Sequence, residues 1–90
     1  MSDVRDNSDE QRFELEEQGH VAFAEYQIEG AVITFTHTVV PASLQGVGVG
    51  SRLIEGALTD VRSRGLKVRP QCSFVAAYIA RHPEWQDLKA

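Results

Sequence analysis

The chain has 90 residues, which is enough for one domain with a single hydrophobic core. Its 13 acidic and 9 basic residues give a net charge of −4, and the basic residues are scattered, so the composition argues against a nucleic-acid partner. The single cysteine rules out an internal disulfide, and it forms no metal-site pattern with the three widely spaced histidines. The sequence has no membrane-spanning or signal-like run, so we expect a cytoplasmic protein with no membrane partner.

Residues 1–11 are polar and charged, so the sequence predicts a mobile tail there, followed by one domain over residues 12–90. Apolar and polar residues then alternate in three consecutive runs, which predicts three strands separated by turns at residues 17–19 and 29–30. Strands joined by such short turns form an antiparallel meander. On the third strand, over residues 31–40, a period of two places His37 in an apolar row with Ile33, Phe35 and Val39.

The second half of the chain predicts a mixed α+β fold. An amphipathic helix follows residue 50, and the short run at residues 66–69 predicts a fourth strand, which a right-handed crossover would place parallel to the third. Ser73 is a candidate N-cap for a last helix that is apolar nearly all round and is therefore expected to be buried. Beyond it, Trp85 and Leu88 are expected to anchor the chain end onto the core.

A glycine loop lies between the third strand and the first helix, with glycines at positions 46, 48 and 50. The free N–H groups of such a loop and of the helix start favour a bound phosphate. No lysine occurs between Met1 and Gly65, which excludes a P-loop, and Ser51 stands where the dinucleotide-binding fingerprint needs its third glycine. The remaining pattern, Q-x-x-G-x-G from Gln45 to Gly50, resembles the pyrophosphate loop of the GNAT superfamily of acetyl-CoA-dependent N-acetyltransferases.

Further motifs in the same order extend this resemblance over about residues 13–88, and they are similar to the small, single-domain YjdJ-type branch of GNAT proteins: His37-Thr-x-Val-Pro41, Gly65-Leu-x-Val68, Pro70-x-Cys72-x-Phe74-Val-x-x-Tyr78-Ile and His82-Pro-Glu-Trp85. Gln45 stands where arginine is common, and Trp85 where tyrosine is usual. The resemblance implies a compact GNAT-like fold that binds acetyl-CoA and transfers acetyl to a primary amine of a small molecule or protein. The resemblance does not identify the acceptor, and the sequence does not predict the oligomeric state.

The resemblance also implies where acetyl-CoA binds. Its pyrophosphate is expected on the loop and its pantetheine arm along the end of the third strand, so the predicted cofactor-binding residues are Thr38, Val39, Val40, Gln45, Gly46, Val47, Gly48, Val49, Gly50, Ser51 and Arg52. The glycines have no Cβ and allow the phosphate oxygens a close approach. Arg52 has two equally favoured interpretations: its side chain contacts a phosphate, or it is a solvated charge on the helix face.

Three candidate catalytic residues have structural alternatives. His37 is a candidate general base or a histidine satisfied by one backbone partner. Cys72, expected near a helix N-terminus that favours a thiolate, is a candidate nucleophile or acid, or a small apolar residue of the pocket. Tyr78 is a candidate acid for the CoA thiolate or a core aromatic. The alternative function is a CoA-binding or protein-interaction module without turnover, and in a third hypothesis the glycine loop is only a structural turn.

Overall fold

The computed structural model describes residues 3–90. A five-stranded sheet has the order β1-β2-β3-β4-β5, antiparallel except for the parallel pair β4 and β5. The strands are β1 Arg5–Asn7, β2 Arg12–Glu17, β3 His20–Glu29, β4 Val32–Val39 and β5 Lys67–Pro70. The helices are α1 Val49–Ser63 and α2 Ser73–Arg81, with short 3-10 helices at Ala42–Leu44 and Pro83–Leu88. The predicted α+β fold, with its antiparallel meander and parallel last strand, is confirmed.

Both helices cover the same face of the sheet. Buried apolar residues alternate along β2 and β3, as at Phe13, Leu15, Ala22 and Ala24, so they lie on one face. These residues form a single cluster with the buried positions of α1 and α2. The opposite face, which carries Phe23 among others, is not covered by any element of residues 3–90. No helix in this described part is long and apolar enough to span a membrane.

A β-bulge in β4 changes which side chains face the helices. Phe35 lies opposite Tyr26, but the next pair is His37 with Glu25, so Thr36 is an extra residue on β4. The extra residue reverses the alternation: Thr38, opposite the buried Ala24, now faces the helices, whereas His37 faces the open side and is exposed. The prediction of His37 in an apolar row with Phe35 is therefore wrong, because a period of two holds only in an unbroken strand.

The expected tail over residues 1–11 needs correction for residues 5–7, which form the edge strand β1. Residues 1 and 2 lie outside the described part. The Glu14 carboxylate is buried on β2 and accepts hydrogen bonds from Arg5 at 2.9 Å, Asn7 at 3.0 Å and Arg12 at 2.7 Å. A buried carboxylate needs such partners, and two of them come from β1. Composition alone could not show this, because the same polar residues also suit a tail.

The last helix is less buried than predicted. Cys72 rather than Ser73 is the N-cap residue of α2, and only Val75, Tyr78 and Ile79 within the helix are buried. The helix packs through one face against β4, β5 and the following 3-10 helix, so its other apolar residues remain accessible. The side chain of Phe74 is 41% exposed. The predicted anchors Trp85 and Leu88 are buried.

Candidate functional site

The glycine loop, the start of α1, the end of β4 and the first turn of α2 enclose a cleft of about 400 Å³. The residues that line it and that the sequence predicted are Thr38, Val40, Gln45, Gly46, Gly48, Val49, Gly50 and Ser51. Three predicted residues are not in the lining, namely Val39, Val47 and Arg52. Two lining residues were missed, Leu44 and Phe74.

The cleft contains the positive end of α1. Gly48 is the N-cap residue, and the first helical hydrogen bond runs from the Arg52 N–H to the Gly48 carbonyl at 3.1 Å. The N–H groups of Val49, Gly50 and Ser51 therefore have no acceptor within the helix. The first turn of this 15-residue helix carries no acidic side chain that would compete for them. Free N–H groups together with the helix dipole can hold an anion such as a phosphate.

The three loop glycines have two different roles. Gly46 and Gly48 adopt φ angles of 83° and 80°, in the left-handed region that favours glycine, and so set the path of the loop. Gly50 is an ordinary helical residue, but a Cβ there would lie 2.7 Å from Cζ of Phe74. The third glycine thus admits an aromatic ring that forms a wall of the cleft. No sequence pattern predicted this wall, since an aromatic residue in an apolar helix fits a core position equally well.

The sheet parts beside the cleft. Pairing of β4 with β5 ends at Phe35 and Pro70, whereas β4 continues along β3 as far as Val39. Cys72 lies at this fork: its N–H donates to the Phe35 carbonyl at 2.9 Å, and its Sγ is 3.2 Å from Oγ1 of Thr38. Since Thr38 lines the cleft, the thiol is one contact away from it. The bulge in β4 thus brings together Thr38 and Cys72, which the sequence had placed near each other only through the family resemblance.

The other two candidate catalytic residues are not lining residues of the cleft. His37 faces the opposite side of the sheet, beside Glu25. Tyr78 is buried, and its ring stacks on His82 with 3.9 Å between the ring centroids. Burial, with the Glu55 carboxylate adding to it, raises the pKa of Tyr78 above its ordinary value, although the Trp85 indole acts in the opposite direction.

Arg52, predicted as a possible phosphate ligand, points away from the loop. Its guanidinium bonds to Glu17 at 3.1 Å and to Asp3 at 3.2 Å. The side chain is 46% exposed, so these ion pairs add little to stability. The loop side chain that does make a defined contact is Gln45, whose Nε2 donates to the Val40 carbonyl at 3.0 Å and joins the loop to the strand end.

The parting of the mixed sheet lies next to the glycine loop and the N-terminus of α1. The model of the GCN5-related N-acetyltransferase family matches residues 12–88. The chain therefore belongs to the GCN5-related N-acetyltransferase (GNAT) family, as the sequence motifs indicated; the YjdJ-type branch stays a prediction.

The fold is also similar to a solved structure, the NMR structure of a GCN5-like candidate N-acetyltransferase from Staphylococcus aureus. The TM-score is 0.69 at 24% sequence identity, and the match covers 100% of this chain and 91% of that one. At this identity the likeness supports the fold alone. It covers the strands and helices that build the cleft.

Proposed function

We propose that the protein is an acetyl-CoA-dependent N-acetyltransferase that transfers acetyl to a primary amine. The observation that carries the proposal is the cleft itself, where the free N–H groups of α1 lie at one end and the Thr38–Cys72 contact lies at the fork of the sheet. Its volume of about 400 Å³ is in the range of ligand sites in proteins. GNAT membership makes acetyl-CoA the ligand of choice. A free Cys72 thiol also fits a reducing cytoplasm, where we place the reaction.

Acetyl-CoA would bind along the cleft. Its pyrophosphate would accept hydrogen bonds from the N–H groups between Gly46 and Ser51, and its pantetheine arm would follow the end of β4 beside Thr38 and Val40. The Phe74 ring offers an apolar contact to the arm. Because Gln45 already occupies the Val40 carbonyl, the loop and strand are held at a fixed spacing before the ligand arrives.

The chemistry is attack of a neutral amine on the thioester carbonyl. A C–N bond forms, the C–S bond breaks, the amine loses a proton, and the CoA thiolate gains one. Cys72 is the titratable group next to the cleft, and two roles are open to it: its thiol can give a proton to the CoA thiolate, or its thiolate can first accept the acetyl group and pass it to the amine. Thr38 is a positioning residue, because its hydroxyl contacts the sulfur at 3.2 Å.

A second candidate function is a CoA-binding module without turnover. It is favoured by one observation: the predicted base His37 and the predicted acid Tyr78 do not line the cleft. Cys72 is then the one predicted catalytic side chain close to the ligand. The two functions differ in whether the acetyl group is transferred from acetyl-CoA to another molecule.

Labelled acetyl-CoA tests both. The wild type, Cys72→Ala, Thr38→Val and the control Ser73→Ala would be incubated with acetyl-labelled CoA and a panel of amines, and label on the amine and on the protein would be counted. We expect transfer by the wild type and by Ser73→Ala, a loss of about 100-fold or more in Cys72→Ala, and a smaller loss in Thr38→Val. Label on the wild-type protein that an amine removes identifies Cys72 as the nucleophile. Binding of acetyl-CoA without transfer to any amine supports the module instead.

A further inference from the structure

The lining of the proposed acetyl-CoA cleft contains no charged side chain from residues 3–90. Its walls are largely apolar, and its polar side chains are neutral, namely those of Thr38, Gln45 and Ser51. A phosphate in the cleft is therefore met by backbone N–H groups and by the dipole of α1, whose effect falls off within about one helical turn. The favourable potential for an anion is thus confined to the glycine loop itself.

Most arginines of the protein already have carboxylate partners. Arg52 is the basic residue nearest the loop in the sequence, and its guanidinium bonds to Glu17 and Asp3. A ligand phosphate would have to compete with two carboxylates for it. The other arginines in ion pairs are Arg5, Arg12, Arg62 and Arg64.

The remaining basic residues lie away from the cleft. Lys67 and Lys89 lie at the start of the β4–β5 pair, whereas the cleft lies beyond its end. Arg69 follows the buried Val68 on β5, so its side chain lies on the sheet face away from the helices. Arg81 is the last residue of α2, and a helix of this length separates it by about 12 Å from the first turn, which lines the cleft.

Gln45 leaves the loop without a charge of its own. Its side-chain amide donates to the Val40 carbonyl at 3.0 Å and is therefore engaged with the strand end. The net charge of −4 means that the field around the whole protein opposes further negative charge. Binding of an anion in the cleft thus depends on close backbone contacts rather than on long-range attraction.

Acetyl-CoA carries its negative charge in two places, the pyrophosphate next to the pantetheine arm and a 3′-phosphate on the ribose beyond it. We propose that the cleft recognises the acetyl-pantetheine and pyrophosphate parts and not the 3′-phosphate, so that 3′-dephospho-acetyl-CoA is at least as good a donor. The inference rests on the proposed function and defines its donor class, namely acyl thioesters of pantetheine diphosphates with or without the 3′-phosphate. A cation in contact with the 3′-phosphate would add a charge-assisted hydrogen bond, worth about 10-fold in affinity, and the cleft lining supplies none.

Val47 is the position at which one substitution would supply the missing cation. It lies between Gly46 and Gly48 and is 64% exposed, so a lysine there can extend into solvent without disturbing the core. Val47→Lys should tighten the binding of both donors, because both carry the pyrophosphate, and should favour acetyl-CoA by about 3-fold. Ile28→Lys is the control, since Ile28 is also an exposed apolar residue but lies next to the turn between β3 and β4, at the far end of that pair from the cleft.

Calorimetry with the two donors tests the inference. The Kd values of acetyl-CoA and 3′-dephospho-acetyl-CoA would be measured for the wild type, Arg52→Gln, Val47→Lys and Ile28→Lys. Salt at about 0.01 M is the most demanding condition, because the Debye length is then about 30 Å and any nearby cation acts on the ligand. In the wild type, Arg52→Gln and Ile28→Lys, we expect acetyl-CoA to bind no more than about 3-fold tighter than its dephospho form.

Two results overturn the inference while acetyl-CoA still binds. One is a larger preference of the wild type for acetyl-CoA, and its loss in Arg52→Gln would then identify Arg52 as the residue responsible. The other is unchanged affinity of Val47→Lys for both donors, which would mean that the phosphates do not lie on the loop. If the wild type binds neither donor, the proposed function itself fails, and the donor class fails with it.

Discussion

Single residues decide the shape of the cleft, and Gly48 is the most sensitive of them. It combines a φ of 80° with the N-cap position of α1, so a side chain there strains the backbone where the N–H groups must converge. We expect Gly48→Val to lower acetyl-CoA affinity more than 10-fold, measured by calorimetry, and to cost about 1–2 kcal/mol of unfolding free energy.

Gly30 is the matched control, because its φ of 59° is also left-handed but it lies in the turn between β3 and β4. Gly30→Val should lose similar stability and keep its acetyl-CoA affinity. Equal affinities in the two variants would mean that the glycine loop is only a structural turn, the third of the hypotheses raised by the sequence.

Gly50 and Phe74 give a second prediction at this scale. The Cβ of Gly50→Ala would lie 2.7 Å from the ring, but the ring is 41% exposed and can swing away. We therefore expect a stability loss below about 1 kcal/mol together with weaker acetyl-CoA binding, because the cleft wall moves. Phe74→Leu should restore part of the affinity of Gly50→Ala by removing the contact. Full affinity in Gly50→Ala alone would show that the Phe74 wall does not touch the ligand.

At the scale of an element, β1 depends on one buried carboxylate. Hydrogen bonds from Asn7, then Arg12, and more weakly Arg5 lower the pKa of Glu14 from 4.5 to about 2, against burial, which would raise it. A carboxyl whose pKa is lower in the folded state stabilises the fold fully above pH 4.5, and this contribution is lost as the pH falls toward 2.

Glu14→Gln tests this prediction. At pH 7 we expect it to lower the unfolding free energy by about 2 kcal/mol, and the difference from wild type should shrink as the pH falls from 4.5 toward 2. Urea unfolding at several pH values measures it. Glu16→Gln is the control, since Glu16 is the exposed acidic residue two positions along β2. A difference between Glu14→Gln and wild type that stays constant with pH would contradict the assignment.

At the scale of the whole molecule, binding of acetyl-CoA should raise the free energy of unfolding, because the ligand would contact the loop, α1, β4 and α2 around one cleft. A ligand at 100 times its Kd adds about 2.7 kcal/mol to the unfolding free energy. For a domain of 90 residues we expect this to raise Tm by roughly 10 °C or more in a thermal unfolding experiment. Desulfo-CoA should give a similar rise, since the loop binds the phosphates. An unchanged Tm with both ligands would remove both CoA-binding proposals.

The sequence by itself determined the order of β2 to β5 and of the two α-helices, the parallel last strand, the glycine loop and the family, because turn residues, hydrophobic periods and local motifs act over a few neighbours. Most of the residues that the sequence predicted for cofactor binding do line the cleft. The sequence also named Cys72, which the structure places one contact from the cleft.

Only the tertiary structure decided which face each side chain takes near the site. The extra residue Thr36 turns His37 to the open face and Thr38 toward Cys72, and it is seen only when β3 and β4 are paired. Likewise, β1 forms because Glu14 needs partners that arrive from a distant part of the chain, and Phe74 becomes a cleft wall because Gly50 of another helix leaves room for its ring. Such contacts join residues far apart in sequence, and no local pattern records them.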